Sequence, residues 1–162
     1  MNKLLLIIAT LFLFLSACTK SDDSILPGMV NAQRTSDSVI VQYLYDHKET
    51  GFIKDPSGLF YKINFIGDSI HFPVLTSVVS VNYTYQLLDG TVVSSSMGVT
   101  DFKGIQLIKH IAAWRIGLQK ISTGGRMRMY IPPTLAFGEV GIPNLVPANA
   151  TLICDVELVS FN

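Results

Sequence analysis

Two cysteines, three histidines and one tryptophan are the scarce side chains of this 162-residue sequence, and their placement decides which chemistry is open to it. His47, His71 and His110 are scattered, and Cys18 and Cys154 stand at opposite ends of the chain. Neither a disulfide framework nor a four-ligand Cys/His metal site can be assembled from them, so no metal or other cofactor is expected. Cys154 falls in an alternating stretch, Ala150 to Phe161, where Leu152, Cys154, Val156 and Leu158 share one face and Asp155 and Glu157 the other. It is expected to be a buried small hydrophobe, not a reactive thiol. Trp114 lies among Leu107, Ile108, Ile111 and Leu118 at helical spacings, which predicts one helix over Ile105–Ile121, ended by Thr123-Gly124-Gly125.

The elements that must position these residues follow from length and periodicity. A chain of 17.8 kDa has room for one core and a short extension. Twelve basic residues balance twelve acidic ones, and this removes the electrostatic footprint that nucleic-acid binding needs. Val79, Val81, Tyr83, Tyr85 and Leu87 alternate with polar residues as a half-buried strand does. Asp89-Gly90 then signals a type I′ hairpin turn, and Arg126–Ile131 is a second strand, stopped by Pro132-Pro133. Upstream, Ile40, Tyr43, Leu44 and His47 recur at helical spacing after a Ser36-Asp37 cap, predicting a helix over about 37–48. Asp55-Pro56-Ser57-Gly58 is a turn signal, and Leu59–Ile63 has strand composition. The expected fold is α+β: an antiparallel sheet with one helix across its concave face, an N-terminal helical appendage and no second core.

The mean hydropathy of +0.41 has a local source. Leu4–Leu15 is almost wholly apolar, too short to span a bilayer but matched to the core of a secretory signal. Leu15-Ser16-Ala17-Cys18 resembles the lipobox of bacterial lipoproteins, which implies cleavage before Cys18 and lipidation of that residue. Removal of residues 1–17 takes away Lys3 alone among charged side chains, so the anchor is expected to be acyl chains without help from a basic patch. Thr19–Ser24 reads as a flexible tether. Its acidic cluster also resembles signals that send some Bacteroidetes lipoproteins to the cell surface. The expected organisation is a signal peptide over 1–17, a tether over 18–35, a helix-and-strand extension over 36–75 and the main domain over 76–162. The expected location is the cell envelope, on the outer membrane.

Several segments, in order, carry a further resemblance: Val81-Asn82-Tyr83-Thr84, Leu88-Asp89-Gly90-Thr91-Val92, Ala113-Trp114-Arg115-Ile116-Gly117-Leu118, Ile131-Pro132-Pro133, Leu135-Ala136-Phe137-Gly138, Gly141-Ile142-Pro143 and Pro147–Leu152, with Asp155-Val156-Glu157-Leu158. Together they resemble FKBP-type peptidyl-prolyl cis-trans isomerases. The resemblance implies a half-barrel antiparallel sheet wrapped on one helix, an apolar pocket between them, and catalysis of X-Pro isomerisation. By the same resemblance Tyr83 is a pocket wall, Ile111 offers its backbone N–H to a substrate carbonyl, and Trp114 is the floor under the proline ring. Phe137 belongs with these as a catalytic wall residue, and Phe102, Ile142 and Val146 complete the substrate-binding wall.

The departures from the family pattern bear on strength. Val93 stands where an aromatic wall residue is usual, Ser94 where an Asp is common, Phe137 where a Tyr is frequent and Cys154 where a Phe is frequent. The usual glycine beside the first strand's Tyr-Thr is Tyr85, and the usual glycine before the tryptophan is Ala113. Losing a hydroxyl removes one hydrogen bond, about 0.5–1.5 kcal/mol, whereas smaller wall residues widen the pocket unless something refills it. Tyr85 is the expected filler. The partners implied are proline-containing polypeptide segments and a membrane reached through lipid on Cys18, with the chain a monomer. A catalytically weak peptide-binding module of the envelope is the alternative that these departures keep open.

Overall fold

The computed structural model describes residues 27–162, so the signal sequence, Cys18 and the first part of the tether lie outside the described residues. Helix α1 spans Pro27–Asp46, followed by strands β1 (Ile53–Lys54), β2 (Phe60–Phe65), β3 (Val79–Leu87) and β4 (Val92–Ser95). Helix α2 (Ala112–Gly117) precedes β5 (Arg126–Ile131) and β6 (Leu152–Phe161). The strands form one sheet in the order β1-β2-β5-β6-β3-β4, with every neighbouring pair antiparallel.

Each strand sends alternate side chains to opposite faces, and the register makes the two faces distinct. Tyr61, Met129, Cys154 and Tyr85 stand side by side across β2, β5, β6 and β3. They join Val81, Met127, Leu152, Val156 and Leu158 in the main core, on which Ala113, Trp114 and Leu118 lie. The approach is close at Gly117, where a Cβ would come within 2.5 Å of Met129 Sδ. The β2 turn forms as expected: Gly58 adopts φ 93° and its N–H donates to the Asp55 carbonyl at 2.8 Å.

Four expectations are corrected. The helix expected over Ile105–Ile121 is broken into a 3₁₀ turn at Leu107–Lys109, α2, and a second 3₁₀ turn at Leu118–Lys120. The break has a backbone cause. Leu107 and Ile108 donate their N–H groups to the carbonyls of Ser77 and Leu75, both at 2.8 Å, so the chain at 105–108 is tied to its neighbour, and His110 and Ile111 are extended. The N-terminal helix starts at Pro27, not near 37, so residues 27–35 of the expected tether are helical and Ser36-Asp37 sits within a helix, Asp37 pairing with Lys54 at 2.7 Å. The β3–β4 turn is not type I′. Asp89 keeps a negative φ, and Gly90 alone, at 87°, takes the left-handed conformation while Leu87 N–H bonds Thr91 at 2.9 Å, as in a turn closed by a glycine bulge.

The fourth correction concerns the second core. Phe60, Tyr130 and Ile153 align across the convex face of the sheet, and fully buried Ile40 of α1 packs on them with Tyr43, Leu44 and Phe52. The expected helical spacing is thus the seam by which α1 seals this face, and burying Ile40 there contributes about 1.5–3 kcal/mol. The loop after α1 is held by Arg128, which pairs with Asp155 at 2.7 Å and Glu49 at 3.2 Å.

Candidate functional site

The concave face is not filled at the end where α2 begins. A cavity of about 320 Å³ opens there, lined by Tyr83, Tyr85, Val93, Ser94, Phe102, Lys109, His110, Ile111, Trp114, Phe137, Ile142, Leu145 and Val146. A groove of similar size, about 340 Å³, crosses the convex face past Asn64, Asn82, Arg126 and Glu157. Asn82 and Glu157 bond each other there at 3.1 Å. The concave cavity, apolar with few polar groups, has the make-up of a ligand site.

Its base is an aromatic cluster. Trp114, 2% exposed, meets Tyr83 edge-on at 5.4 Å, Phe102 edge-on at 5.4 Å and Tyr85 nearly parallel at 5.9 Å between ring centroids. His110 lies against Trp114 at 5.2 Å and against the Phe102 edge at 4.8 Å. These separations are those of favourable ring pairs, about 0.5–1.5 kcal/mol each beyond the area they bury. The wall is thereby fixed in shape before any ligand arrives.

The flanks come from loops with defined geometry. Phe102 adopts φ 53° and Lys103 φ 62°, a region that bulky side chains enter only under constraint. The constraint is visible: Lys103 N–H donates to the Asp101 carboxylate at 2.9 Å and Gly104 N–H to the Asp101 carbonyl at 3.1 Å, winding a tight turn that directs Phe102 inward. Opposite it, Ile142 and Val146 exchange backbone hydrogen bonds of 2.8 and 2.9 Å. This clamp holds both residues, with Leu145, at the mouth.

Polar groups at the cavity are few. The Tyr83 hydroxyl and Ser94 Oγ share a hydrogen bond of 3.1 Å, and the Tyr83 N–H donates to Ser96 Oγ at 3.0 Å. His110 Nε2 and Trp114 Nε1 are buried without a hydrogen-bond partner among the described residues. The Tyr85 hydroxyl and Cys154 thiol lie near the indole without reaching hydrogen-bond geometry. Burial holds the His110 imidazole below its ordinary proton affinity, against a smaller opposing effect from the Ile105 backbone. Burial likewise pushes Tyr85 well above the usual phenol value. Nothing here is poised as a nucleophile, and among the described residues no cluster of His, Cys, Asp and Glu is placed to hold a metal.

Nine of the ten pocket residues expected from the sequence meet around this cavity: Tyr83, Val93, Ser94, Phe102, Ile111, Trp114, Phe137, Ile142 and Val146. Cys154 does not line it. The residue is fully buried in β6 directly opposite Tyr85, and burial pushes its thiol up to about 12, so it is part of the core beneath the wall. Tyr85 occupies the wall itself, as the filler reading required. The sequence reading missed Lys109, His110 and Leu145 as lining residues. Their one sequence signal is adjacency to Ile111 and Val146, which the broken helix and the 142–146 clamp convert into proximity.

Comparison with known proteins accounts for this arrangement. The sequence profile of the family described as FKBP-type peptidyl-prolyl cis-trans isomerase matches residues 71–159. The FKBP-type peptidyl-prolyl cis-trans isomerase FkpA of Escherichia coli K12 is 36% identical over 112 residues, 69% of this chain and 41% of that protein. FK506-binding protein 1 of Saccharomyces cerevisiae is 37% identical over 98 residues, 59% of this chain and 86% of that protein. The crystal structure of FkpA from Escherichia coli superimposes with a TM-score of 0.65 at 26% identity, covering 100% of this chain and 83% of that one. The chain therefore spans 41% of the length of its bacterial relative. With the profile extending over more than half of the sequence and the fold shared, this chain belongs to the FKBP-type peptidyl-prolyl cis-trans isomerase family.

Proposed function

We propose that this protein catalyses cis–trans isomerisation of X-Pro bonds in exported polypeptides, from a position in the cell envelope anchored by lipid on Cys18. The observation that carries the reading is the apolar cavity of about 320 Å³ floored by Trp114 and walled by Tyr83, Phe102 and Phe137. The barrier to rotation about the prolyl amide, about 18–20 kcal/mol, comes from resonance, and no bond is made or broken in crossing it. A site needs no acid, base or metal for that step. It needs to favour the twisted amide, in which charge separation is lost, over the planar one that water solvates well.

The residues of this chain divide that work. Trp114, Phe102 and Tyr83 receive the pyrrolidine ring and displace water from the amide. The Ile111 N–H, at the start of α2, is the donor for a carbonyl of the bound chain, which holds the segment in a bent geometry while the bond turns. Phe137, Ile142 and Val146 close the opposite wall, with Val93 and Ser94 at its edge. The location rests on the N-terminal sequence. The apolar Leu4–Leu15 run and the cysteine after Leu15-Ser16-Ala17 support export and acylation.

An isomerisation assay on a proline-containing peptide, using the chain that starts after Cys18, tests the reading. Acceleration that saturates with peptide is expected. Folded protein that binds the peptide and leaves the rate unchanged refutes catalysis and leaves a binding module. For the anchor, Cys18→Ser is expected to shift the protein out of the membrane fraction, and normal cleavage with retention in membranes refutes lipidation.

A further inference from the structure

Charge at the cavity is one-sided. The residues with polar side chains that line it are Tyr83, Tyr85, Ser94, His110, Trp114 and Lys109, of which Lys109 alone is a fixed cation, and no carboxylate residue lines it. Two of the hydroxyls satisfy each other, Tyr83 with Ser94 at 3.1 Å. Lys109 is exposed and forms no ion pair among the described residues, unlike Lys54, Lys120 and Arg128. The nearest acid in sequence to the Phe102 flank, Asp101, already accepts the Lys103 N–H at 2.9 Å. Lys109 is also held in place. It ends the 3₁₀ turn Leu107–Lys109, its N–H donates to Gln106 at 2.9 Å, the His110 N–H donates to Leu107 at 3.0 Å, and Leu107 is fully buried. Its backbone is thus fixed two residues before Ile111, whose N–H faces the bound chain in the proposed function.

We propose that Lys109 is a specificity-determining residue that makes this site prefer prolines with an acidic residue immediately before or after them. The proposal rests on the isomerase reading and deepens it. A substrate carboxylate beside the proline meets an unpaired ammonium and no opposing carboxylate, whereas a substrate lysine meets like charge in a wall with nothing to offset it. Lys109 stays hydrated, so the preference is modest and screened by salt. Discrimination is expected at roughly 1.5-fold to fivefold per charge change, the range of exposed ion pairs.

The test uses the full chain in detergent and two peptide sets that differ only in Glu, Gln or Lys, placed before the proline in one set and after it in the other. In at least one set kcat/KM is expected to fall in the order Glu, Gln, Lys, with the spread collapsing at 1 M salt. Lys109→Glu is expected to invert that order and Lys109→Gln to flatten it, outcomes that a purely structural role for the side chain does not produce. Equal values for the three peptides in both sets overturn the proposal, as does an unchanged order in Lys109→Glu. Should every peptide bind without being turned over, the isomerase reading fails by itself. The ratio of Glu to Lys peptide affinities, read from Trp114 emission, then decides the charge preference separately.

Discussion

Tyr85 and Cys154 exchange volume across the β3–β6 pair, and a double-mutant cycle measures the exchange. They face each other in the antiparallel register, are 8% and 0% exposed, and the Tyr85 ring stacks on Trp114 at 5.9 Å. The resemblance implies glycine and phenylalanine as the usual residues at these two positions, so that one large side chain fills the space from either strand. Tyr85→Gly removes a buried aromatic, at about 3–5 kcal/mol by analogy with large-to-small core changes, plus about 1 kcal/mol for glycine within a strand. Cys154→Phe alone drives a ring into an occupied site, at about 1–3 kcal/mol. Independent effects would sum to about 5–9 kcal/mol, comparable with the stability of a small domain, about 5–15 kcal/mol. Exchange predicts instead that the pair loses no more than Tyr85→Gly alone, a favourable coupling at least as large as the Cys154→Phe cost, about 1–3 kcal/mol. Urea unfolding of the chain that starts after Cys18, followed by far-ultraviolet circular dichroism, reads all four corners. If Tyr85→Gly does not fold but the double variant does, the coupling is shown directly. A double variant at least as unstable as the sum of the singles refutes the reasoning.

Ser94→Asp places a carboxylate beside the Tyr83 hydroxyl, now 3.1 Å from Ser94 Oγ, and a charged partner contributes about 1.5–3 kcal/mol where a neutral one contributes less. A severalfold rise in kcat/KM on a neutral peptide is expected, with a smaller gain for Phe137→Tyr, and no gain in folded Ser94→Asp contradicts this. Trp114 emission is expected to shift when a proline peptide saturates the site, and an unaltered spectrum with binding shown by calorimetry removes Trp114 from the floor. Asp55 is held down to about 2, first by the Ser57 N–H and hydroxyl at 3.0 and 2.7 Å, then by Lys120 at 3.0 Å. Because its folded value is depressed, its contribution is complete above the ordinary 3.8 and is lost as pH falls towards about 2. Asp55→Asn is expected to flatten the stability profile over that window, and an identical acid limb in the variant refutes the assignment.

What was legible in the sequence is what side-chain periodicity encodes. Val79–Leu87, Arg126–Ile131 and Leu152–Phe161 have one face in the main core, and their period of two showed through. The 105–121 segment misled because Leu107, Ile111, Trp114 and Leu118 are apolar for reasons of burial. Its path is set by the bonds from Leu107 and Ile108 to Ser77 and Leu75, which no spacing reports. The convex cluster escaped because Tyr130-Ile131 and Leu152-Ile153 are adjacent apolar pairs. Strands covered on both faces lose the alternation by which a face is recognised.

The same accounting explains why the site was more legible through resemblance than through chemistry. Catalysts with nucleophiles or metals announce themselves by residue types that are costly to bury, whereas this cavity is walled by side chains that any core would accept. What separates wall from core is where packing stops. Phe102 is held inward by a strained turn, the 142–146 clamp keeps its loop off the floor, and the break at His110-Ile111 lets α2 start at the cavity edge. Each is a backbone feature. Ser94, where the family resemblance implies that an Asp is common, and exposed Lys109 sit on that backbone among the lining residues. The scaffold can therefore keep its apolar cavity while those positions change the charge and polarity around it.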